Sequence, residues 1–138
     1  MIDNEIRENI DKISSRMRRQ YSESLRQLDL HVGQDNLLCK LWSHGEIRQI
    51  QLTEMLGCEP STLTNMIKTL EKNGFISRKK DPDDGRVSIV FLTEKGWNVR
   101  KPIEEMWQNQ QNKLLKGFTD ENRELLNEFL LQMDKNLR

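Results

Sequence analysis

The segment from Leu52 to Phe75 constrains the fold more than any other part of the chain. It reads LTEMLGCEPSTLTNMIKTLEKNGF, in which two helical apolar patterns are separated by Gly57 and Pro60. Proline is tolerated in the first turn of a helix, where its missing N–H would have no intrahelical partner, and glycine commonly ends a helix. The sequence therefore predicts a helix, a tight turn and a second helix that begins near Pro60 and stops at Gly74.

The second of these helices has an apolar and a polar face. At about 100° per residue, Leu63, Ile67 and Leu70 point to one side. The other side is small, polar and basic, and such side chains can enter a DNA major groove, where amides and hydroxyls reach base edges and lysines reach phosphates. The DNA contacts predicted from this helix are Ser61, Thr62, Thr64, Asn65, Lys68, Thr69 and Lys72.

A charged hairpin follows directly. The segments FIS and VSIVFL show strand alternation, and DPDDG between them supplies the residue types of a tight loop. Residues 61–80 hold five basic side chains and one acid, whereas the whole chain balances 22 Lys+Arg against 22 Asp+Glu. Local clustering must therefore provide any affinity for nucleic acid. A basic hairpin after a recognition helix is a wing, with its tip beside the DNA backbone.

The wing carries the remaining predicted DNA contacts. Arg86 at the tip can place its flat guanidinium in a narrow minor groove. Asp84 precedes it by two residues, on the same side of an extended strand, and can hold the arginine in position. Lys79 and Lys80 suit phosphate contacts and solvated surface charge about equally. The predicted wing residues are Arg78, Lys79, Lys80, Asp84 and Arg86.

Helices are also predicted on both sides of this region. Apolar residues recur in steps of three and four from Ile6 to Leu28, and DNLLCKLWSHG reads as a short helix with Asp35 as its N-cap. After the wing, a helix opens at Thr93 and is expected to kink at Pro102, and a last one follows Thr119-Asp120. The prediction is a mainly α fold of six helices with a small β-hairpin wing, an α+β winged helix-turn-helix.

The terminal helices lack a covering surface. Their apolar stripes, from Ile6 to Leu28 and from Leu126 to Leu137, are too long for one small domain to hide. We expect them to pack against the same helices of a second subunit and form a two-fold homodimer.

Composition excludes several other classes of protein. A chain of 138 residues with 35% hydrophobic content suits one domain. No apolar run approaches the roughly 18 residues of a membrane span, and the start, MIDNEIRENIDK, lacks the apolar core of a signal peptide. We expect a soluble, cytoplasmic protein that does not enter a membrane.

The sequence offers no catalytic or metal-binding pattern. Cys39, Cys58, His31 and His44 are isolated and lack the spacing of a zinc set, so neither a metal nor a disulfide is predicted. Glycine-rich phosphate loops and nucleophile motifs are absent, which argues against an enzyme and leaves catalytic residues and cofactors without candidates.

The run from Leu52 to Gly96 resembles the MarR family of bacterial winged helix-turn-helix regulators. The shared motifs are the PST start of the recognition helix at 60–62, LExxG at 70–74, D-x-R at 84–86 and LTxxG at 92–96. Each motif alone is weak, but four in order at the family's spacing are specific. Asn65 and Thr69 stand where members often have arginine, which indicates a different base preference.

The resemblance implies a homodimer that binds a pseudo-palindromic double-stranded DNA operator. It implies control of transcription, commonly repression, relieved by a small lipophilic or phenolic effector. The whole chain, 1–138, would be one MarR-type domain with dimerisation helices at about 1–30 and 100–138 and a winged-helix lobe at about 31–99. The redox-sensing branch carries its cysteine in the first helix, which has none here. The alternative is a winged-helix module for protein contacts without DNA binding.

Overall fold

The architecture is mainly helical, with one small sheet. The structure is a computed structural model and describes residues 1–138. Helices account for 69% of the residues, so the predicted mainly α fold with a hairpin wing is confirmed. The elements in order are α1 (Ile2–Arg26), α2 (Gln34–His44), β1 (Ile47–Arg48), α3 (Gln49–Leu56), α4 (Pro60–Lys72), β2 (Ile76–Lys80), β3 (Ser88–Leu92), α5 (Glu94–Asn98), α6 (Arg100–Leu114) and α7 (Asp120–Leu137).

The fifth predicted helix is interrupted rather than kinked. A turn at Val99 separates α5 from α6, and the two together correspond to the helix predicted after Thr93. Pro102 lies in the first turn of α6. Because proline has no N–H, it cannot donate the helical hydrogen bond to the carbonyl of Asn98, and the break falls at the point where that bond would be needed. Counted as one interrupted helix, α5 and α6 make up the six helices expected.

The start of α2 also differs from the prediction. Gly33, with φ +100°, is the N-cap, and Asp35 lies within the first turn. The Asp35 carboxylate still contributes to the start of the helix, because its Oδ1 accepts the backbone N–H of Gly33 at 3.1 Å. The prediction of Asp35 as the N-cap is therefore wrong, while its place near the positive end of the helix agrees with its charge.

The sheet is antiparallel, with strand order β1-β3-β2. The wing hairpin pairs Ile76 with Leu92 at its base and Lys80 with Ser88 toward its tip. Strand β1 adds a short third strand, pairing Ile47 with Val90. The wing is thus joined to the segment that immediately precedes α3.

A shared core holds α2, α3, α4 and the sheet together. The inward residues of α4, Leu63, Ile67 and Leu70, are fully buried, which confirms the predicted apolar face. Burial of a leucine-sized side chain contributes about 1.5–3 kcal/mol relative to exposure. Other core residues at 1% exposure or less are Leu25, Leu30, Leu37, Leu38, Leu41, Leu52, Phe75, Val90 and Ile103.

The chain divides into two compact units, residues 1–106 and 107–138. The first contains the helix-turn-helix, the wing and α1, and the second contains the end of α6 and all of α7. No helix has the length and apolar character needed to cross a membrane. The dimerisation and DNA-binding roles assigned to parts of the chain stay predictions.

The end of α4 is locked to the start of α5. Gly74 adopts φ +85°, and the N–H of Phe75 donates to the carbonyl of Leu70 at 3.0 Å, a helix-terminating pattern. The N–H of Thr93 donates to the carbonyl of Phe75 at 3.1 Å.

Gly96, in α5, is closely surrounded in the buried interior. Trp42 Nε1 donates to the carbonyl of Gly96 at 2.9 Å. A Cβ atom at Gly96 would lie 2.1 Å from the Phe75 carbonyl oxygen, so only glycine fits there.

We therefore expect Gly96→Ala to lower the free energy of unfolding by at least about 1–3 kcal/mol, the usual cost of overpacking. Gly85→Ala is a matched control, because the nearest atom to its Cβ would be Lys80 Cδ at 4.0 Å, an ordinary van der Waals distance. Urea unfolding at equal protein concentrations compares the two. Equal stabilities would contradict the tight contact at Gly96.

Candidate nucleic-acid interface

Helix α4 presents a polar face to solvent. Ser61, Thr62 and Asn65 are exposed, and their side chains make no hydrogen bond within the chain. Lys68 and Lys72 are exposed on the same helix and form no ion pair. Five of the seven residues predicted from this helix are therefore available to an external partner.

Two of the predicted DNA contacts, Thr64 and Thr69, have hydroxyl groups that are already hydrogen-bonded within the protein. Thr64 Oγ1 donates to the carbonyl of Pro60 at 2.9 Å and accepts from Gln49 Nε2 at 3.4 Å. Thr69 Oγ1 donates to the carbonyl of Asn65 at 3.0 Å. Back-bonding of this kind commits the hydroxyl proton, so each threonine can offer a base only its methyl group and the lone pairs that are not already used, one on Thr64 and two on Thr69.

Two of the basic residues are engaged by carboxylates. Arg78 forms a bidentate pair with Glu71, with Nε–Oε2 3.3 Å and Nη2–Oε1 3.0 Å. Lys79 Nζ lies 2.6 Å from Glu46 Oε1 and 5.5 Å from the centre of the Phe91 ring. Exposed ion pairs are worth only about 0–1 kcal/mol, so a phosphate can displace either carboxylate.

The count of local charge from sequence was therefore too high. It set Glu71 against five basic residues but did not include Glu46, which the fold brings to Lys79 from outside the counted segment. Lys68, Lys72 and Lys80 remain without an acidic partner.

The wing tip has the predicted contact between Asp84 and Arg86. Arg86 Nε lies 3.1 Å from Asp84 Oδ1, and Nη2 lies 3.2 Å from Oδ2. The backbone N–H of Arg86 also donates to Asp84 Oδ1 at 3.1 Å. The side-chain hydrogen bonds from Arg86, and after them its backbone hydrogen bond, lower the pKa of Asp84 below its usual value. The Arg86 side chain itself is 92% exposed. Its contact with DNA stays a prediction.

Sequence reasoning missed a second acid at the base of this loop. Asp81 is 5% exposed, and its Oδ1 accepts the N–H of Asp83 at 2.8 Å. Arg48, at the end of β1, places Nη2 2.9 Å from Asp81 Oδ2. The sequence showed an Asp followed by Pro, which is typical of a turn. It did not show the ion-pair partner Arg48, which lies 33 residues earlier and comes close to Asp81 only when β1 pairs with β3.

The cysteines and histidines form no site. Cys39 and Cys58 are half-buried free thiols, which places neither in a disulfide. No cluster of three or more His, Cys, Asp or Glu side chains could hold a metal ion.

An exposed polar helix, held by a buried apolar face beside a basic hairpin, defines a winged helix-turn-helix DNA-binding protein. Residues 31–88 match the model of the MarR family. The Uncharacterized HTH-type transcriptional regulator YybA of Bacillus subtilis (strain 168) is 31% identical over 112 residues, 81% of this chain and 75% of that protein. The chain belongs to the MarR family and is a DNA-binding transcriptional regulator.

Solved structures match nearly the full length of the chain. The transcriptional regulator SlyA superimposes with a TM-score of 0.88 at 27% identity, covering 96% of this chain and 93% of that one. A Putative MarR Family Transcriptional Regulator from Listeria monocytogenes, solved with a 26mer DNA, gives a TM-score of 0.84 at 27% identity, covering 94% and 87%. These relatives are transcriptional regulators and not enzymes.

The wing-tip pair can be tested by a double-mutant comparison. If Arg86 contacts the minor groove as predicted, Arg86→Ala is expected to weaken DNA binding by about 1–3 kcal/mol and to reduce the salt slope by about one unit, because one cation is removed from the interface. Asp84→Ala is expected to weaken binding without changing the salt slope, because it removes no positive charge but releases Arg86.

Fluorescence anisotropy at several salt concentrations measures both variants and their combination. If Asp84 acts only through Arg86, its removal has little effect once the arginine is gone. Two large and additive losses would contradict the orienting role of Asp84.

Proposed function

We propose that this protein binds a pseudo-palindromic operator as a homodimer and represses transcription until a small molecule releases it. The observation that carries this proposal is the joint placement of α4 and the wing. The polar face of α4 is free of internal side-chain bonds at Ser61, Thr62 and Asn65, and the sheet that contains the wing packs on the same core. A recognition helix suits a major groove, and a wing-tip arginine suits the minor groove beside it.

Site-specific binding is proposed to depend most on Asn65. Its amide can donate to and accept from adenine in the major groove, a contact worth about 1–3 kcal/mol of discrimination. Ser61 and Thr62 contribute hydroxyls near the N-terminus of α4, and Lys68 and Lys72 provide charge for phosphates. Lys80 and Arg86 extend the basic surface along the wing. The support for DNA as the partner, rather than a protein, is this basic surface and the D-x-R wing tip.

Selection of DNA fragments by the purified protein, followed by sequencing, is the test of this proposal. We expect enrichment of a two-fold symmetric site. Asn65→Ala should weaken binding to that site by about tenfold or more and leave binding to random DNA nearly unchanged. Lys72→Ala is the matched control, because loss of a phosphate contact lowers both affinities alike. No enrichment of any sequence would favour the alternative of a protein-interaction module.

The proposal of a homodimer rests on apolar surface that the single chain leaves exposed. On α1, Ile6, Ile10 and Ile13 are 42%, 46% and 45% exposed at helical spacing. Helix α7 has no buried residue. Its exposed apolar side chains are Leu125, Phe129, Leu130, Leu131, Met133 and Leu137. Monomers rarely leave apolar surface of this extent in water, and a second copy is a partner that the chain always has.

Sedimentation of the intact chain at micromolar concentration is expected to give twice the 16.4 kDa of one chain. Ile10→Asp should shift the protein toward monomer, because a charge would be buried at the interface. Ile50→Asp is the control, since Ile50 is 68% exposed on α3, outside both stripes. A monomeric intact chain, or equal effects of the two substitutions, would contradict the proposed interface.

Release by a small lipophilic or phenolic effector is proposed from the family resemblance. Within residues 1–106, an open depression of about 300 Å³ is lined by Arg26, Asp29, Leu30, His31, Asn73 and Lys95. Arg26 and Lys95 could pair with the charge of a phenolate. Titration of phenolic acids into the protein–operator complex, with a promoter–reporter fusion for the direction of control, tests release and repression.

A further inference from the structure

Two adjacent residues at the start of α3 reach the two elements proposed to contact DNA. Arg48 pairs with Asp81 at the base of the wing loop, with Nη2 and Oδ2 2.9 Å apart. Its neighbour Gln49 places Nε2 3.4 Å from Thr64 Oγ1 on the recognition helix. The segment 48–49 therefore bridges the wing and α4 through side chains.

Asp81 belongs to a closed loop. Its N–H donates to the carbonyl of Val87 at 2.9 Å, and the N–H of Val87 donates to the carbonyl of Asp84 at 3.0 Å. Together with the Asp81–Asp83 bond, these contacts make the loop a compact unit that contains Asp84 and Arg86. The side-chain bonds of Arg86 stay within this loop. They fix the arginine on the loop but do not fix the loop on the rest of the domain.

The ion pair with Arg48 provides that attachment. The Asp81 side chain is 4% exposed, whereas that of Arg48 is 51% exposed. A buried carboxylate depends strongly on its partner, because its hydration has been lost. Hairpins are marginally stable by themselves, so a tie near the tip restricts how the wing moves. The Glu46–Lys79 pair also joins this segment to the wing, but it reaches strand β2 and not the loop. Strand β1 ends at Arg48, and the Arg48–Asp81 pair extends the attachment to the loop itself.

We propose that Arg48 and Asp81 are positioning residues that hold the wing tip at a fixed place relative to the recognition helix. Through them, Arg86 and α4 meet the minor and major grooves in one register. This inference rests on the proposed DNA binding and extends it to residues that need not touch DNA. Without the pair, the wing would be mobile in the free protein, and ordering it on binding would reduce the free energy gained from DNA contacts.

The decisive variant is Asp81→Asn. A positioning role for Asp81 predicts weaker DNA binding, whereas a purely electrostatic effect of its charge predicts tighter binding. The amide oxygen can still accept the N–H of Asp83, so the turn is retained while the ion pair is lost. Removal of a negative charge beside DNA would by itself tighten binding. A positioning role predicts the reverse. The affinity for DNA should fall by up to about tenfold, which is the size of one wing-arginine contact, and the salt slope should stay unchanged.

Asp83→Asn is the matched control, since Asp83 lies in the same loop, is exposed and forms no ion pair. It should leave DNA binding unchanged or make it tighter.

Variants of Arg48 test the other half of the ion pair. Arg48→Ala should reproduce the loss of affinity seen in Asp81→Asn, and combining the two substitutions should cause no further loss. Arg48→Lys should recover part of the affinity. In an Arg86→Ala background, Asp81→Asn should have little effect. Hydroxyl-radical footprints should lose protection in the flanking minor groove and keep it at the centre.

Binding by Asp81→Asn that is equal to or tighter than wild type would overturn the proposal. So would a drop of about one unit in the salt slope for Arg48→Ala with no effect of Asp81→Asn, which would make Arg48 a direct phosphate contact. A wild-type protein that selects no DNA would instead contradict the proposed function. Urea unfolding of each variant separates a local change in the wing from loss of the fold.

Discussion

The close packing of Gly96 on the backbone of Phe75 is the constraint on which the DNA-binding region depends. At this point the end of α4, the first strand of the wing and the start of α5 meet within one network of hydrogen bonds. Thr93 reaches the carbonyls of both Gly74 and Phe75, and Lys95 Nζ reaches the carbonyl of Asn73 at 2.7 Å. The recognition helix and the wing strands therefore cannot shift independently at this end. At the opposite end of the hairpin, the Arg48–Asp81 pair is the corresponding attachment.

Charge in this protein acts through its arrangement, because the chain has no net charge at neutral pH. Carboxylates accompany several of the basic residues, as Glu71 does Arg78 and Glu46 does Lys79. Such pairs contribute little to stability at an exposed surface, so the carboxylates can be exchanged for phosphate. Within residues 61–80, the lysines without an acidic partner lie on α4 and at the end of β2, and they are Lys68, Lys72 and Lys80. This distribution favours contact with a polyanion at one surface rather than general attraction to nucleic acid.

The terminal helices pose the opposite problem, an excess of apolar surface. Within α1 the isoleucines repeat at helical spacing but stay about half exposed, and no leucine of α7 is buried. In proteins, most of the stability of a helix comes from packing its apolar face rather than from intrinsic propensity. A symmetric second copy would cover them and would set the spacing between two recognition helices, as a two-fold operator requires.

The sequence by itself determined the elements whose signals are local. The helix-turn-helix, the inward face of Leu63, Ile67 and Leu70, the hairpin, and the Asp84–Arg86 contact all depend on residues a few positions apart, so periodicity and turn chemistry were sufficient. Only the tertiary structure decided which distant groups meet. Glu46 with Lys79 and Arg48 with Asp81 are each separated by 33 positions, and strand pairing brings them together. Gly96 had a motif in the sequence, but the reason for it is a backbone contact 21 residues away at Phe75. Such contacts leave no periodic signal, because they are set by how elements pack and not by how each element forms.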